Sequence, residues 1–371
     1  MTAAFSISSW YAVYAYTFGA ALVLSMVLTA VIRRLAIRWN IVDHPGERKM
    51  HSSPMPLMGG IAIFVAFYVV IFGNLLLIEP VRELGFAWLE VQVLSFLGSD
   101  ILYKLIGIFA GGALIFALGV LDDLVALKPE MKLIGQIAAA GILVMSGIRL
   151  DIFMPGNLYV TVPLTMLWVI AMVNSLNFLD NMDGLCGGVS VIAALSFFGC
   201  LAPHNDTFVC VMLMVFAGSV CGFLYHNLNP ARIFMGDAGA MFCGYILATV
   251  SILGTFYDQS TPSRVAVAAP LLALSVPLFD TVTVVYIRWR NGESIMKGDK
   301  RHFSHRLVDA GMTTRQAVEF IFIVAAVNGL GAVLLPQVSL LGTLVIIAQA
   351  FGVFMLIVLL MSTRRKGDNA R

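Results

Sequence analysis

The chain has 371 residues, of which 60% are hydrophobic and only 12% are charged, and its formal net charge is +2. Soluble domains carry about 25% charged residues, so this composition excludes an ordinary soluble fold and is typical of a protein that crosses the bilayer several times. A net charge this small gives no reason to expect a nucleic-acid partner.

Apolar runs of about 20 residues predict membrane-spanning helices, and shorter runs are allowed where neighbouring helices shield them. The first run is too long for a signal-peptide core and no basic segment precedes it, so we expect it to be retained. We predict an all-α helix bundle in which residues 1–371 form a single integral membrane domain. Its eleven spans are placed at 10–32, 59–78, 101–121, 134–148, 158–173, 187–201, 207–225, 238–253, 265–287, 316–335 and 340–361.

Lysine and arginine separate sharply between alternate loops of this arrangement. Nineteen of them fall in one set of loops, and four fall in or beside the other set. Because positive residues collect on the cytoplasmic side of membrane proteins, the pattern predicts an outer N-terminus and a cytoplasmic C-terminus. Adding or removing one span would destroy this separation, which therefore also supports the count of eleven.

The polar clusters fall on the same predicted cytoplasmic side. They occupy five loops and helix ends, at 33–58, 122–133, 174–186, 226–237 and 288–315. A transporter needs a polar site near mid-membrane that opens to both faces. An enzyme that uses a soluble cytoplasmic substrate needs polar groups on one face, and the observed distribution favours this alternative.

The first acidic cluster, Asp122 and Asp123, closes the third predicted span. At the C-terminal end of a helix the macrodipole disfavours negative charge, so compensation is expected from a metal, from Lys128 or from Lys132. Adjacent acids suit a pair in which one residue stays ionised and the other has a raised pKa for proton abstraction. The simpler alternative is a solvated helix end.

The segment from Asn174 to Gly184 combines two carboxylates with three carboxamides. On a helix, Asn174, Asn177, Asp180 or Asn181, and Gly184 repeat every three or four residues and would share one face. A solvated loop is the simpler interpretation of a lone aspartate, but five polar groups at this spacing indicate chemistry.

Asp237 lies between Gly236 and Gly239, where the eighth predicted span begins. The simple interpretation is an N-cap. However, glycines allow close backbone approach, and a helix N-terminus favours phosphate. An aspartate beside a phosphate usually needs a divalent cation between them, and Mg²⁺ commonly takes one or two carboxylates together with substrate phosphates.

The last cytoplasmic cluster is basic and contains Arg301, His302 and His305. Contact with lipid head groups is the ordinary role of such a loop. The spacing of the two histidines places both rings on one side of a helical turn, an arrangement that suits a diphosphate. Asp280, inside the ninth span, is a further functional candidate, with a helix-packing hydrogen bond as the alternative.

Together these residues resemble the polyprenyl-phosphate N-acetylhexosamine-1-phosphate transferases of glycosyltransferase family 4. Five motifs occur in the family's order on one predicted membrane face. They are RKxH…P…GG at Arg48–Gly60, DD…K at Asp122–Lys132, NxxNFxDxxDG at Asn174–Gly184, NPARIFMGDAG at Asn229–Gly239 and DKRHFSHRL at Asp299–Leu307. PLFDT at 277–281 is similar to the branch that transfers N-acetylglucosamine-1-phosphate, although Ser304 stands where the family often has a histidine.

The resemblance implies transfer of a sugar-1-phosphate from a UDP-N-acetylhexosamine, with N-acetylglucosamine as the first candidate, to undecaprenyl phosphate. The products would be undecaprenyl-diphospho-sugar and UMP, at the start of cell-envelope polysaccharide synthesis. The cofactor implied is Mg²⁺, with Mn²⁺ as a substitute. The setting implied is the bacterial inner membrane with the active site facing the cytoplasm, and a homodimer is compatible with it.

The resemblance also implies roles for individual residues. Those carried over are Asp122, Asp123 and Asp180 as catalytic groups; Asp237 and Asp122 as metal ligands; and Asn177, Asp183, Lys132, Lys49, Arg301, His302 and His305 as groups that bind the nucleotide sugar and its phosphates. Direct attack by the lipid phosphate and double displacement through an aspartate nucleophile both remain open.

Two other functions compete with this interpretation. The same chemistry could use UDP-MurNAc-pentapeptide as the donor, as in peptidoglycan synthesis. A transporter or lipid carrier with charged gating groups on its inner face belongs to another class. A CDP-alcohol phosphotransferase is excluded, because Asp183-Gly184 is not followed by the spacing which that family needs.

Overall fold

A computed structural model provides the fold of the chain. It describes residues 7–43, 54–83, 99–151, 154, 156–204, 206–254, 256, 264–293 and 301–368. The motif residues Arg48 and Lys49, predicted as an anion contact, and Asp299 and Lys300 lie outside the described residues.

Helices make up most of the described chain, which confirms the all-α class. In chain order they are α1 (Ile7–Arg38), α2 (Gly60–Glu83), α3 (Ser99–Val125), α4 (Pro129–Met145), α5 (Leu158–Leu179), α6 (Leu185–Leu201), α7 (Thr207–Asn227), α8 (Gly236–Leu253), α9 (Ala269–Ala273), α10 (Ser275–Arg290), α11 (Phe303–Asp309), α12 (Thr314–Leu334) and α13 (Leu340–Asp368). Two short strands, β1 (Val42–Asp43) and β2 (Met55–Pro56), pair antiparallel between α1 and α2.

Each predicted span coincides with a helix or a helix pair, so the protein is a multi-pass membrane protein. Within the described residues, eight helices are long and apolar enough to cross a membrane, namely α1, α3, α5, α6, α7, α8, α12 and α13. The pair α9–α10 passes the same test together but is bent by 74°, so the ninth predicted span is broken rather than straight. The full count of eleven and the orientation of the termini stay predictions.

The best-buried helix of the bundle is α8. Every residue from Ala238 to Ser251 is buried, and α2, α3, α5 and α6 pack around it. Asp237 lies in the first turn of this helix. The central element of the fold therefore carries an acidic residue at its N-terminal end, where the neighbouring helices converge.

Two glycines allow α2 and α3 to reach that end of α8. A Cβ atom on Gly60 would lie 2.3 Å from the backbone nitrogen of Gly239, and one on Gly119 would lie 2.4 Å from Cα of Ala238. Backbone atoms at such distances cannot move aside as a flexible side chain can. Gly119 lies less than one turn before Asp122, so the close approach also determines where the acidic end of α3 meets α8.

Gly119→Ala is therefore expected to separate α3 from α8 and to lower the free energy of unfolding by about 1–3 kcal/mol, as overpacked cores do. The matched control is Gly141→Ala in α4, where an added Cβ meets nothing within 4 Å. Thermal unfolding in detergent should show a lower melting temperature for Gly119→Ala and an unchanged or slightly raised one for Gly141→Ala, because alanine is favoured over glycine inside a helix by roughly 0.5–1 kcal/mol. Equal melting temperatures of the two variants would contradict this packing argument.

Candidate active site

Side chains from four helices meet beside the first turn of α8. Lys132, from the start of α4, forms ion pairs with Asp122 at the end of α3 and with Asp237 in α8. Its Nζ lies 2.9 Å from Oδ2 of Asp237. Asn177, near the end of α5, donates its Nδ2 hydrogen to Oδ1 of Asp237 at 2.9 Å. The two carboxylates thus share one ammonium group, and both oxygens of Asp237 are occupied.

Asp123, near the end of α3, connects this helix to the backbone of α8. Its carboxylate accepts the backbone N–H of Asp237 at 2.7 Å and that of Ala238 at 3.2 Å. Gly236 has φ of +76°, and a Cβ there would lie 2.5 Å from Oδ2 of Asp123. A side chain at this position would therefore block the contact, which explains the glycine before Asp237.

Asp180 lies directly after α5 and faces further acids. Burial raises the pKa of Asp180 to about 8, and the negative charges of Asp237, Asp123 and Asp183 raise it in the same direction. Such a carboxyl group stays largely protonated at neutral pH, whereas an ordinary aspartate, with a pKa of about 3.9, is ionised. Asp180 therefore lowers the free energy of unfolding at neutral pH, because an ordinary aspartate would be ionised there.

Asp180→Asn is expected to raise the melting temperature by a few degrees in buffer free of divalent cations. Between about pH 4 and pH 8 the folded state holds a proton that the unfolded state has released, so the contribution of Asp180 to stability falls as pH rises through this window. Asparagine cannot ionise, and the stability gap over the wild type should widen from pH 5 to pH 8. Thermal unfolding at several pH values tests this.

The control for this variant is Asp309→Asn, which changes an exposed acid in α11. It should leave the melting temperature close to that of the wild type. If the stability gap between Asp180→Asn and the wild type did not change with pH, the assigned environment of Asp180 would be wrong.

Asp183 connects two of the sequence motifs. Its Oδ2 accepts hydrogen bonds from Nδ2 of Asn229 and from the backbone N–H of Ala231, both at 3.0 Å. Asn227 completes the connection by accepting the backbone N–H of Gly184 at 3.0 Å and donating to the carbonyl of Ile233 at 2.9 Å. The turn after α5 and the loop before α8 thus form one hydrogen-bonded unit.

The basic segment docks on the same turn. The ring of His302 lies 5.8 Å, centroid to centroid, from that of Phe178, which is the neighbour of Asn177 in the chain. Ser304 donates its hydroxyl hydrogen to Oδ1 of Asn181 at 2.6 Å. The His302 and His305 rings are 6.4 Å apart, as expected for one side of a turn. Ser304 therefore replaces the family's histidine with a contact that fastens α11 to the site.

The residues predicted from the sequence divide into three groups. Asp122, Asp123, Lys132, Asn177 and Asp237 are in mutual contact, and Asp180 interacts electrostatically with that cluster. Asp183, His302 and His305 lie around the turn between α5 and α6. Arg301 forms an ion pair with Glu293, a partner that the sequence did not suggest.

One prediction about this region is wrong. The segment from Asn174 to Gly184 does not form a single helical face, because α5 ends at Leu179 and Gly184 adopts φ of +75°. Asn174 instead exchanges hydrogen bonds with Gln136, one turn after Lys132 in α4. Gln136 was missed by the sequence analysis, although a buried glutamine among apolar residues was a usable signal.

The donor set fits a hard cation bound together with a ligand. Among the described residues, no three His, Cys, Asp or Glu side chains form a ready-made metal site. The carboxylates of Asp122 and Asp237 nevertheless hold a positive charge between them, here the ammonium of Lys132. Mg²⁺ typically completes its octahedron with water and substrate phosphates rather than with protein groups alone.

The chain is similar to several known proteins along most of its length. The family model described as glycosyl transferase family 4 matches residues 105–255, a stretch that contains Asp122, Asp123, Asp180 and Asp237. A probable undecaprenyl-phosphate N-acetylglucosaminyl 1-phosphate transferase of Bacillus subtilis is 30% identical over 87% of this chain and 85% of its own length. The decaprenyl-phosphate N-acetylglucosaminephosphotransferase of Mycolicibacterium smegmatis is 30% identical over 95% and 89%. An Escherichia coli undecaprenyl-phosphate alpha-N-acetylglucosaminyl 1-phosphate transferase is 27% identical over 79% and 76%.

The chain is a multi-pass helical bundle with a carboxylate–lysine cluster, and its relatives match most of its length. It is therefore an integral membrane phosphoglycosyltransferase. The chain belongs to glycosyl transferase family 4, within the superfamily of polyprenyl-phosphate N-acetylhexosamine-1-phosphate transferases.

Proposed function

We propose that the protein transfers N-acetylglucosamine-1-phosphate from UDP-N-acetylglucosamine to undecaprenyl phosphate, releasing UMP. The observation that carries the proposal is the convergence of Asp122, Lys132, Asn177 and Asp237 from four separate helices. The names of the relatives favour N-acetylglucosamine over MurNAc-pentapeptide as the transferred group. We infer that the product starts the synthesis of a cell-envelope polysaccharide.

The donor's diphosphate suits the charges of the cluster. Asp237 and Asp122 would hold Mg²⁺, which when bound neutralises charge on the diphosphate and acts as a Lewis acid. If Mg²⁺ shared the carboxylates of Asp122 and Asp237 with Lys132, the ammonium group of Lys132 could also contact a phosphate oxygen. His302 and His305, on the far side of the turn after α5, would contact the same diphosphate, and Asn177 and Asp183 would order the nucleotide side.

In the reaction, an oxygen of the lipid phosphate attacks the β-phosphorus of the donor in line with the departing UMP oxygen. Asp180 holds a proton in the free site, and a cation held by Asp237 and Asp122 would favour its ionised form, which could then accept the last proton of the lipid phosphate. The oxygens of Asp122 and Asp123 accept hydrogen bonds from Leu127, Lys132, Asp237 and Ala238. Such engaged carboxylates are better suited to positioning than to nucleophilic attack, which favours direct transfer.

We further propose that the site faces the cytoplasm of a bacterial inner membrane. The support is the segregation of lysine and arginine to the loops that carry the site. A UDP-sugar is a soluble, charged substrate that would reach such a site without crossing the bilayer.

A donor assay with purified protein in detergent tests the proposed function. UMP release should require UDP-N-acetylglucosamine, undecaprenyl phosphate and Mg²⁺ together, and omission of any one should abolish it. UDP-MurNAc-pentapeptide offered separately should give no product. Turnover with that donor alone would identify the peptidoglycan reaction instead, and lipid or sugar movement across vesicles without UMP release would favour a transporter.

A further inference from the structure

Asp280 is the buried acid that the proposed reaction leaves without a role. It lies in α10, five residues after the bend at Leu274–Ser275, and its side chain is fully buried. An ionisable group in such a place is costly unless it is paired. Its contacts therefore indicate why it is there.

Both carboxylate oxygens of Asp280 point to the start of the basic helix α11. Oδ2 lies 2.8 Å from Nδ1 of His302, and Oδ1 accepts the backbone N–H of Phe303 at 2.5 Å. These two residues are consecutive, so one carboxylate fixes both the backbone and the ring orientation of His302. His302 itself is only 7% exposed, and the Phe178 ring lies on its side toward α5.

The contact with Asp280 determines which ring nitrogen of His302 carries a hydrogen. An ionised carboxylate can only accept hydrogen bonds, so Nδ1–H of His302 is the donor in this contact. The ring's other nitrogen, Nε2, is then the one that can contact a ligand. A carboxylate hydrogen-bonded to one ring nitrogen also fixes the orientation in which the other nitrogen meets a ligand.

A positive group balances Asp280 without competing for His302. The guanidinium of Arg306, one turn later in α11, interacts with the charge of Asp280 and donates to Oγ1 of Thr283 at 2.7 Å. The acid, the histidine and the arginine thus form a connected unit between α10 and α11. A role in helix packing alone would not require Asp280 to contact the side chain of His302, which is assigned to diphosphate binding.

We propose that Asp280 is a positioning residue that holds His302 with Nδ1 protonated and Nε2 directed to the diphosphate of the donor. The inference rests on the proposed function, since it assigns to His302 the contact with that diphosphate. Asp280 itself touches no substrate and acts through the histidine.

A double-mutant cycle tests the proposal. Asp280→Asn keeps the size of the side chain and an acceptor for Phe303, but its amide removes the charge behind the ring. It is expected to raise KM for UDP-N-acetylglucosamine about tenfold to a hundredfold, the range for a lost hydrogen bond to a charged group, with a smaller change in kcat. His302→Asn should raise KM by at least as much, and the double variant should behave like His302→Asn alone.

The matched control is Thr281→Val, the next residue in α10. Thr281 donates to Ser175 at 2.8 Å and so joins α10 to α5 without touching His302. It should leave KM unchanged, and melting temperatures of all variants should be measured alongside. If the increases in KM caused by Asp280→Asn and His302→Asn were fully additive in the double variant, Asp280 would act independently of the His302 ring. That result would overturn the proposal.

The wild-type arm separates this inference from the proposed function. If the wild type neither turns over the donor nor binds UDP, both the proposed function and the positioning role of Asp280 are wrong. If it binds UDP without turnover, the reaction is wrong, and the same cycle on UDP affinity decides about Asp280. Additive losses in an active enzyme overturn the role of Asp280 alone.

Discussion

Replacing Asp237 with asparagine should lower the rate of UMP release at least about a hundredfold while the helix bundle stays folded. Asp237 uses one oxygen to accept from Asn177 and the other to pair with Lys132. Asparagine offers a single acceptor oxygen, so one of these donors loses its partner and the charge that would hold Mg²⁺ disappears. Measured kcat and melting temperature together test this expectation.

Asp151→Asn is the control for Asp237→Asn, since it alters an exposed acid in the loop between α4 and α5. Its turnover should equal that of the wild type. Unchanged UMP release by Asp237→Asn itself would remove the metal assignment, and with it the central residue of the proposed site.

Lys132→Met should have the second large effect, on both stability and activity. Without the ammonium group, Asp122 and Asp237 face each other unneutralised in a partly buried place. Removing one partner of a fully buried pair costs about 3–5 kcal/mol. Because the Lys132 side chain is 27% exposed, solvent screening reduces the expected loss to about 2 kcal/mol.

The Lys132→Met variant also allows a test that is independent of turnover. A divalent cation can replace the missing positive charge, so added Mg²⁺ should raise the melting temperature of this variant more than that of the wild type. Lys128→Met is the control, because Lys128 is exposed at the start of the same helix. Equal Mg²⁺ responses of all three proteins would show that the two carboxylates do not form a cation site.

The sequence predicted the helices well because the bilayer makes apolar length a direct signal. All eleven runs correspond to helices, and the break that bends the ninth run falls at Leu274–Ser275, inside apolar sequence where hydropathy carries no signal for it. The face proposed for 174–184 failed for a local reason, since α5 ends at Leu179 and its C-cap Asp180 has a non-helical ψ of 53°.

The site itself could be predicted as a set of residues but not as a geometry. Asp123 and Asp237 are 114 residues apart, and their contact depends on how closely α3 approaches α8 through Gly119. Spacing along the chain contains no record of that approach. In the same way, the sequence singled out Asp280 but could not identify His302 as its partner, because the pairing arises where α10 and α11 meet.

The acidic surroundings of Asp180 have a consequence for the order in which substrates bind. Burial and the negative charges of Asp237, Asp123 and Asp183 raise the pKa of Asp180, and the three charges indicate a surplus of negative potential around it. Both proposed substrates are anions, so each entering alone would be repelled. A cation should therefore bind at this site before or together with the first substrate, and free UDP should bind far more weakly in a chelator than in the presence of Mg²⁺.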